Sequence, residues 1–216
     1  MEKTPISCVR IRRDIIPQRS LSLNPNSNIS LGILAGGKGQ RWGGRDKGLI
    51  PVNGQLLVAG IVQVFEAHVA EVIINCRRHP HVYQQYCQRI VGDAVRSAGP
   101  AAGIAALLSS CQTPLLLVMP CDIVTPSSTL LNQMVNALTP ADKGAFIIDN
   151  GGKHSACALL RRGLSEPSWS YIASGRRSLT GLFEHLQLKA VINQPLRDID
   201  DYSELRAMIQ PLASTI

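Results

Sequence analysis

The stretch LAGGKGQRWGGRDKGLI, residues 34–50, is dense in glycine and carries four cations. Glycines without β-carbons let backbone N–H groups come close to a phosphate, and Gly36 and Gly37 are placed to do so. Arg41 and Lys47 can offset phosphate charge, Arg41 as a planar fork and Lys47 as a point charge. The backbone of Leu34 and Ala35 could hydrogen-bond a base edge. The loop is not a Walker loop, because its Gly-Lys pair is not followed by Ser or Thr. Nor is it GxGxxG: Gly37 and Gly39 fit, but Trp42 stands where the last glycine belongs. The chemistry it suggests is the handling of a nucleotide's phosphates.

Such a loop needs a scaffold. ISLGIL, just before it, reads as a short buried strand. PVNG (51–54) reads as a turn, and Leu57, Ile61, Val64, Phe65 and His68 recur at helical spacing. EVIIN (71–75) is a second buried strand, and HPHVYQQYCQ (79–88) reads as helical, with Pro80 in its first turn. GPAAGIAALLSSC (99–111) gives a loop and a small-residue helix. PLLLVMPCD (114–122) is apolar without alternation, as expected of a central strand covered on both faces. Ser127 or Ser128 caps a helix that runs to Leu138. GAFIID and HSACALL are later strands around a DNGGK turn. Residues 165–175, 176–186 and 200–209 are predicted helices.

Strands alternating with helices predict a single Rossmann-like α/β domain, its sheet mainly parallel with helices on both faces. Ligands of such sheets bind at the carboxyl ends of the strands, near the switch in strand order. Segments 34–48, 75–78 and 120–122 therefore converge on one site.

The 216 residues suit one such domain, placed at 30–216 after the polar joint SLNPNSN; residues 1–29 form a basic extension. That extension holds five cations against two carboxylates, +3 of the formal +7. The basic balance fits anionic ligands such as nucleotides. Aromatics are only 4%, too few for the stacking platforms of single-strand nucleic-acid binders. Six cysteines without a CxxC pair point to a reduced, cytoplasmic protein, and no apolar run is long enough to predict a membrane span.

The order of residues adds more. LAGG, Arg41, GG, Asp46 and Lys47 closely resemble the signature loop of the molybdenum cofactor guanylyltransferases, a nucleotidyltransferase family of the nucleotide-diphospho-sugar transferase fold type. PVNGQLL is similar to that family's turn into its first helix. Asn75 stands where the family has a nucleotide-contacting asparagine, and Asp93 matches an aspartate upstream of its GPLAG segment. VMPCD matches its PCD, and GGKHSACALLRR resembles its later hairpin. The match covers roughly residues 30–206. The sequence departs from the pattern in places: the spacer after Asp93 is shorter, and the later hairpin lacks the usual proline after its basic position. Trp42 replaces a usual methionine, and RDIDDYSEL (197–205) stands where guanylyl members carry two asparagines before TPE. Asp198 and Asp200 there look more like the cytidylyl and sugar-nucleotide relatives.

The resemblance implies that GTP and molybdopterin, or the molybdenum cofactor, react to give the guanine dinucleotide form and pyrophosphate. It implies Mg²⁺ as cofactor, with Asp122 as its ligand. Arg41 and Lys47 would take the β- and γ-phosphate charge, and Asn75 and Asp93 the nucleoside. Asp198 and Asp200 would lie on the acceptor side, where the Arg176–Arg177 pair could also meet a phosphate. Partner proteins that deliver the cofactor or receive it are implied as well. The rival readings are a cytidylyl- or sugar-phosphate nucleotidyltransferase and a non-catalytic nucleotide-binding module.

Overall fold

The computed structural model of the protein describes residues 23–24, 27–36, 44–92, 99–124, 126–148 and 154–192. β1 (Ile29–Ala35) alternates its side chains between two faces: Leu31, Ile33 and Ala35 on one, Leu34 on the other. The chain then reaches a 3-10 turn at Lys47–Leu49 and a two-stranded hairpin, β2 (Pro51–Val52) and β3 (Gln55–Leu56). The predicted turn is the tip of this hairpin, where Asn53 and Gly54 both take positive φ. α1 (Leu57–Phe65) follows, with Leu57, Val58, Ile61, Val62 and Phe65 buried along one stripe.

β4 (Glu71–Cys76) is buried along its whole length. After it come α2 (Pro80–Tyr83) and a 3-10 turn at Gln84–Tyr86, so the predicted helix over 79–88 is a short, broken one. β5 (Arg89–Val91) pairs with β4 and was not foreseen from the sequence. α3 (Gly99–Ser110) is buried all round from Ala101 to Leu108. It crosses β5, β4, β1 and β6 (Leu115–Pro120) and is covered in turn by α5 (Ser165–Ala173). A helix in such a sandwich must be apolar on every side and small where the backbones meet. Gly103 shows the second demand: a β-carbon there would lie 2.7 Å from both Asn75 Oδ1 and a Leu34 methyl.

α4 (Ser128–Ala137) begins at Ser127, whose hydroxyl accepts from the Thr129 N–H. β7 (Gly144–Ile148) and β8 (His154–Arg161) form an antiparallel pair. α6 (Leu179–His185) starts from Ser178, whose hydroxyl accepts from the Gly181 N–H. The predicted helix over 176–186 is thus shorter, and Arg176 and Arg177 precede it instead of opening it; a capping serine is the stronger stop signal. β9 (Lys189–Ile192) is a second unforeseen edge strand.

The seven-stranded sheet runs β5-β4-β1-β6-β8-β7-β9, with β8 antiparallel to both its neighbours and the remaining neighbour pairs parallel. α1, α2 and α4 share one apolar core with one face of the sheet; α3, α5 and α6 share another with the opposite face. Each fully buried aliphatic side chain in these cores contributes about 1.5–3 kcal/mol. From β1 the chain passes to β4 over the α1 face, and from β5 it returns to β6 over the α3 face. The connections therefore diverge at the β1–β6 boundary, the switch in strand order.

Candidate active site

The carboxyl ends of β1, β4 and β6 bring the predicted segments together. β1 pairs in parallel register with both neighbours, so Leu34 lies beside Asn75 on one side and Pro120 on the other. Past the strand ends, the Cys121 N–H donates to the Leu34 carbonyl at 3.1 Å and ties the two loops at the crevice. Leu34 and Ala35 are buried, with their side chains in opposite cores, and Gly36 is exposed at the rim.

Lys47 and Asp122 meet across this crevice. Lys47 Nζ donates to Asp122 Oδ2 at 2.8 Å, and their side chains are 29% and 19% exposed. Seventy-five residues separate them in sequence. The pair is screened from water on one side and open to it on the other, which suits groups that must exchange partners when a charged ligand arrives. Asp122 presents a hard oxygen donor there. Among the described residues no cluster of three or more His, Cys, Asp or Glu forms a ready-made metal cage.

Asn75 is only 2% exposed. Its amide donates to the Val91 carbonyl at 3.3 Å, and its Oδ1 faces the Cα atoms of Gly36 and Gly103. It links the end of β5, the glycine loop and α3 beneath the site. Cys121, in the PCD segment, is buried; burial, reinforced by the Asp122 and Asp46 carboxylates, pushes its thiol up.

Gly37, Arg41, Asp93, Asp198 and Asp200, singled out from the sequence, lie outside the described residues. Arg176 and Arg177 are exposed. The Arg176 guanidinium stacks 4.4 Å from the centre of the Tyr171 ring, and Arg177 donates to the Ile172 and Arg176 carbonyls.

Around Asp46 the structure shows contacts that the sequence reading did not assign. Tyr83, buried, donates its hydroxyl to Asp46 Oδ1; His79 Nδ1 lies 3.4 Å from Asp46 Oδ2. Arg78 grips the carbonyls of Gly44 and Arg45. Tyr83 lies within the segment 79–88 that reads as helical, and nothing in its spacing marks a partner 37 residues away. Asp46, the motif's aspartate, is 8% exposed and faces inward, away from the open side of the crevice.

Comparison with known proteins identifies the family and the fold. A curated relative from Yersinia pestis, named molybdenum cofactor guanylyltransferase, is 32% identical over 165 residues, 76% of this chain and 84% of its own length. Among solved structures, molybdopterin-guanine dinucleotide biosynthesis protein A from Archaeoglobus fulgidus has a TM-score of 0.66 at 16% identity, covering 83% of this chain and 96% of that one. The 4-diphosphocytidyl-2C-methyl-D-erythritol synthase from Anaerococcus prevotii has a TM-score of 0.62 at 17% identity, covering 86% and 97%. At those identities the two structures speak for the fold alone. Residues 31–191, most of the chain and every strand that borders the crevice, match the MobA-like NTP transferase domain, and the chain belongs to that family of nucleotidyltransferases.

Proposed function

We propose that the protein transfers GMP from GTP to the terminal phosphate of molybdopterin or its molybdenum-loaded form, yielding the guanine dinucleotide cofactor and pyrophosphate. The observation that carries the reading is the Lys47–Asp122 pair at the β1–β6 switch, in a chain 32% identical to a molybdenum cofactor guanylyltransferase. An oxygen of the acceptor phosphate bonds to the α-phosphorus of GTP. The bond from that phosphorus to the bridging oxygen breaks, and pyrophosphate leaves with the electron pair. Such a displacement needs alignment and charge neutralisation, with no covalent help from the protein.

Each residue then has a task. Lys47 exchanges its Asp122 partner for the β- and γ-phosphates, and Arg41 shares that charge. The backbone of Leu34, Ala35, Gly36 and Gly37 receives the base and the phosphates. Asn75 braces this wall, and Asp93 completes the nucleoside pocket. Asp198 and Asp200 are assigned to the acceptor. Asp122 fits Mg²⁺ as a half-open carboxylate, the kind of single protein ligand that holds this ion together with substrate phosphates. Bound there, Mg²⁺ would neutralise phosphate charge and orient the departing pyrophosphate. No helix among the described residues is long and apolar enough to cross a membrane, and the substrates considered are water-borne.

Asp198 and Asp200 favour a second reading, a cytidylyl- or sugar-phosphate nucleotidyltransferase. The deciding experiment is turnover of each nucleoside triphosphate with molybdopterin and Mg²⁺, backed by thermal shift with GTP against CTP. GTP-specific release of pyrophosphate is expected. Turnover with CTP and none with GTP would replace the first reading by the second.

A further inference from the structure

Lys47 sits on a short 3-10 turn whose neighbours on both sides are held by one segment, residues 78–83, that follows β4. On its amino side, Asp46 takes the Tyr83 hydroxyl at Oδ1 and faces His79 Nδ1 with Oδ2. Further back, the two Arg78 nitrogens hold the consecutive carbonyls of Gly44 and Arg45. On its carboxyl side, Gly48 lies flat against the same tyrosine. A β-carbon at Gly48 would stand 2.5 Å from Tyr83 Oη and 3.2 Å from the Cys121 β-carbon, the residue next to Asp122. The Leu49 N–H donates back to the Asp46 carbonyl at 3.1 Å, so the turn moves as a unit with Asp46.

The segment that does this is itself held in an unusual conformation. His79 has φ 50° and ψ 41°, left-handed backbone that a non-glycine residue adopts at a cost. Pro80 follows at the start of α2. Tyr83 is fully buried, and burial, then the nearby Cys121 and Asp46 groups, raises its hydroxyl far above the usual tyrosine range. It therefore remains a donor throughout the working pH range.

We infer that Tyr83, acting through Asp46 and Gly48, is the positioning residue that sets Lys47 opposite Asp122. Asp46, although acidic and adjacent to Lys47, binds neither metal nor nucleotide; its oxygens face Tyr83 and His79. This rests on the phosphate role proposed for Lys47. Reach alone would let a lysine on a free loop touch a phosphate, but fixing its backbone lets it meet the phosphate without ordering the loop at the moment of binding.

The test is a double-mutant cycle read as GTP affinity by calorimetry, with thermal unfolding recorded for each variant. Tyr83→Phe should weaken GTP by about tenfold in the wild-type background. In the Lys47→Ala background the same change should cost nothing further in affinity, while lowering the melting temperature as before. Equal losses in both backgrounds, or no loss in either, overturn the inference. If Lys47→Ala by itself leaves GTP affinity intact, the phosphate role fails first and takes this inference with it. A second pair of variants covers the case in which Tyr83→Phe does not fold. Asp46→Asn keeps an oxygen for the tyrosine and should retain GTP affinity within about threefold, whereas Asp46→Ala should match Tyr83→Phe. If Asp46→Asn is as damaging as Asp46→Ala, the carboxylate charge touches the ligand directly and the positioning role is wrong.

Discussion

The two edges of the central sheet each hold a carboxylate paired with a cation, and they hold it differently. At the amino edge, Glu71 opens β4. Its Oε1 accepts from the Ser30 hydroxyl at 2.6 Å and from the Gln112 N–H at 2.8 Å, and its Oε2 accepts from Arg89. Arg89 also donates to the Ser110 carbonyl at 3.0 Å, at the end of α3. Glu71 thus pins β1, β4, β5 and the end of α3 together. At the carboxyl edge, Asp122 takes one donor among the described residues, Lys47, and keeps access to water. A carboxylate with both oxygens engaged by the protein is a structural fastener. One left half-open is available for a ligand, and the sheet's topology puts the open one at the switch point.

The contrast can be broken from either end. The largest effect belongs to Asp122→Asn. Loss of the anionic oxygen that would hold Mg²⁺ against the substrate phosphates should reduce turnover by roughly 10²–10³-fold, with the melting temperature nearly unchanged because the side chain is partly solvated. Turnover at saturating Mg²⁺ within a few-fold of wild type would remove Asp122 from the metal role. Next, Glu71→Gln leaves the partly exposed Arg89 guanidinium without its charge partner. It should cost about 3 kcal/mol, the low end for a buried pair because Arg89 keeps some exposure, or roughly 6–12 °C in melting temperature. GTP affinity below that temperature should stay within twofold; a large loss would mean that the two edges are coupled.

Lys47→Ala comes third. Charged hydrogen bonds of this kind contribute about 1.5–3 kcal/mol, so calorimetry should show GTP weakened roughly 10- to 150-fold in a folded protein. The smallest effect is expected of Cys121→Ala, which trims a buried thiol beside the site. Turnover should hold within about threefold and stability within about 1 kcal/mol. A loss of activity comparable to that of Asp122→Asn would show that the thiol takes part in the chemistry, against its protonated state.

What the sequence shows most clearly is what local chemistry dictates. β1, β4 and β6 are legible because strands buried on both faces have to be continuously apolar. The glycine loop, Lys47 and Asp122 stand out in the sequence because phosphate handling would call for such residue types in such an order, and the structure brings Lys47 and Asp122 together. A serine cap at 127 or 128 was legible in the sequence, and the structure selects Ser127, whose hydroxyl accepts from the backbone N–H two residues on. In the C-terminal helical region the same logic was missed: Ser178, not the arginines before it, opens α6.

Other features depend on partners far away in the chain. β5 and β9 are three and four residues long and lie at the sheet's two edges. Neither has enough length for a periodic signal, and each becomes a strand because a parallel neighbour supplies its hydrogen bonds. β8 enters between β6 and β7 and reverses one strand of the sheet, a choice made by pairing across the core. The sequence by itself determined that this chain folds as an α/β nucleotidyltransferase and pointed to the cation and the carboxylate that meet at the crevice, because those signals live in composition and local order. The tertiary structure alone decided that Asp46 faces inward to Tyr83 while Asp122 stays half-open. Their accessibility depends on which groups, dozens of residues away, are packed against each carboxylate.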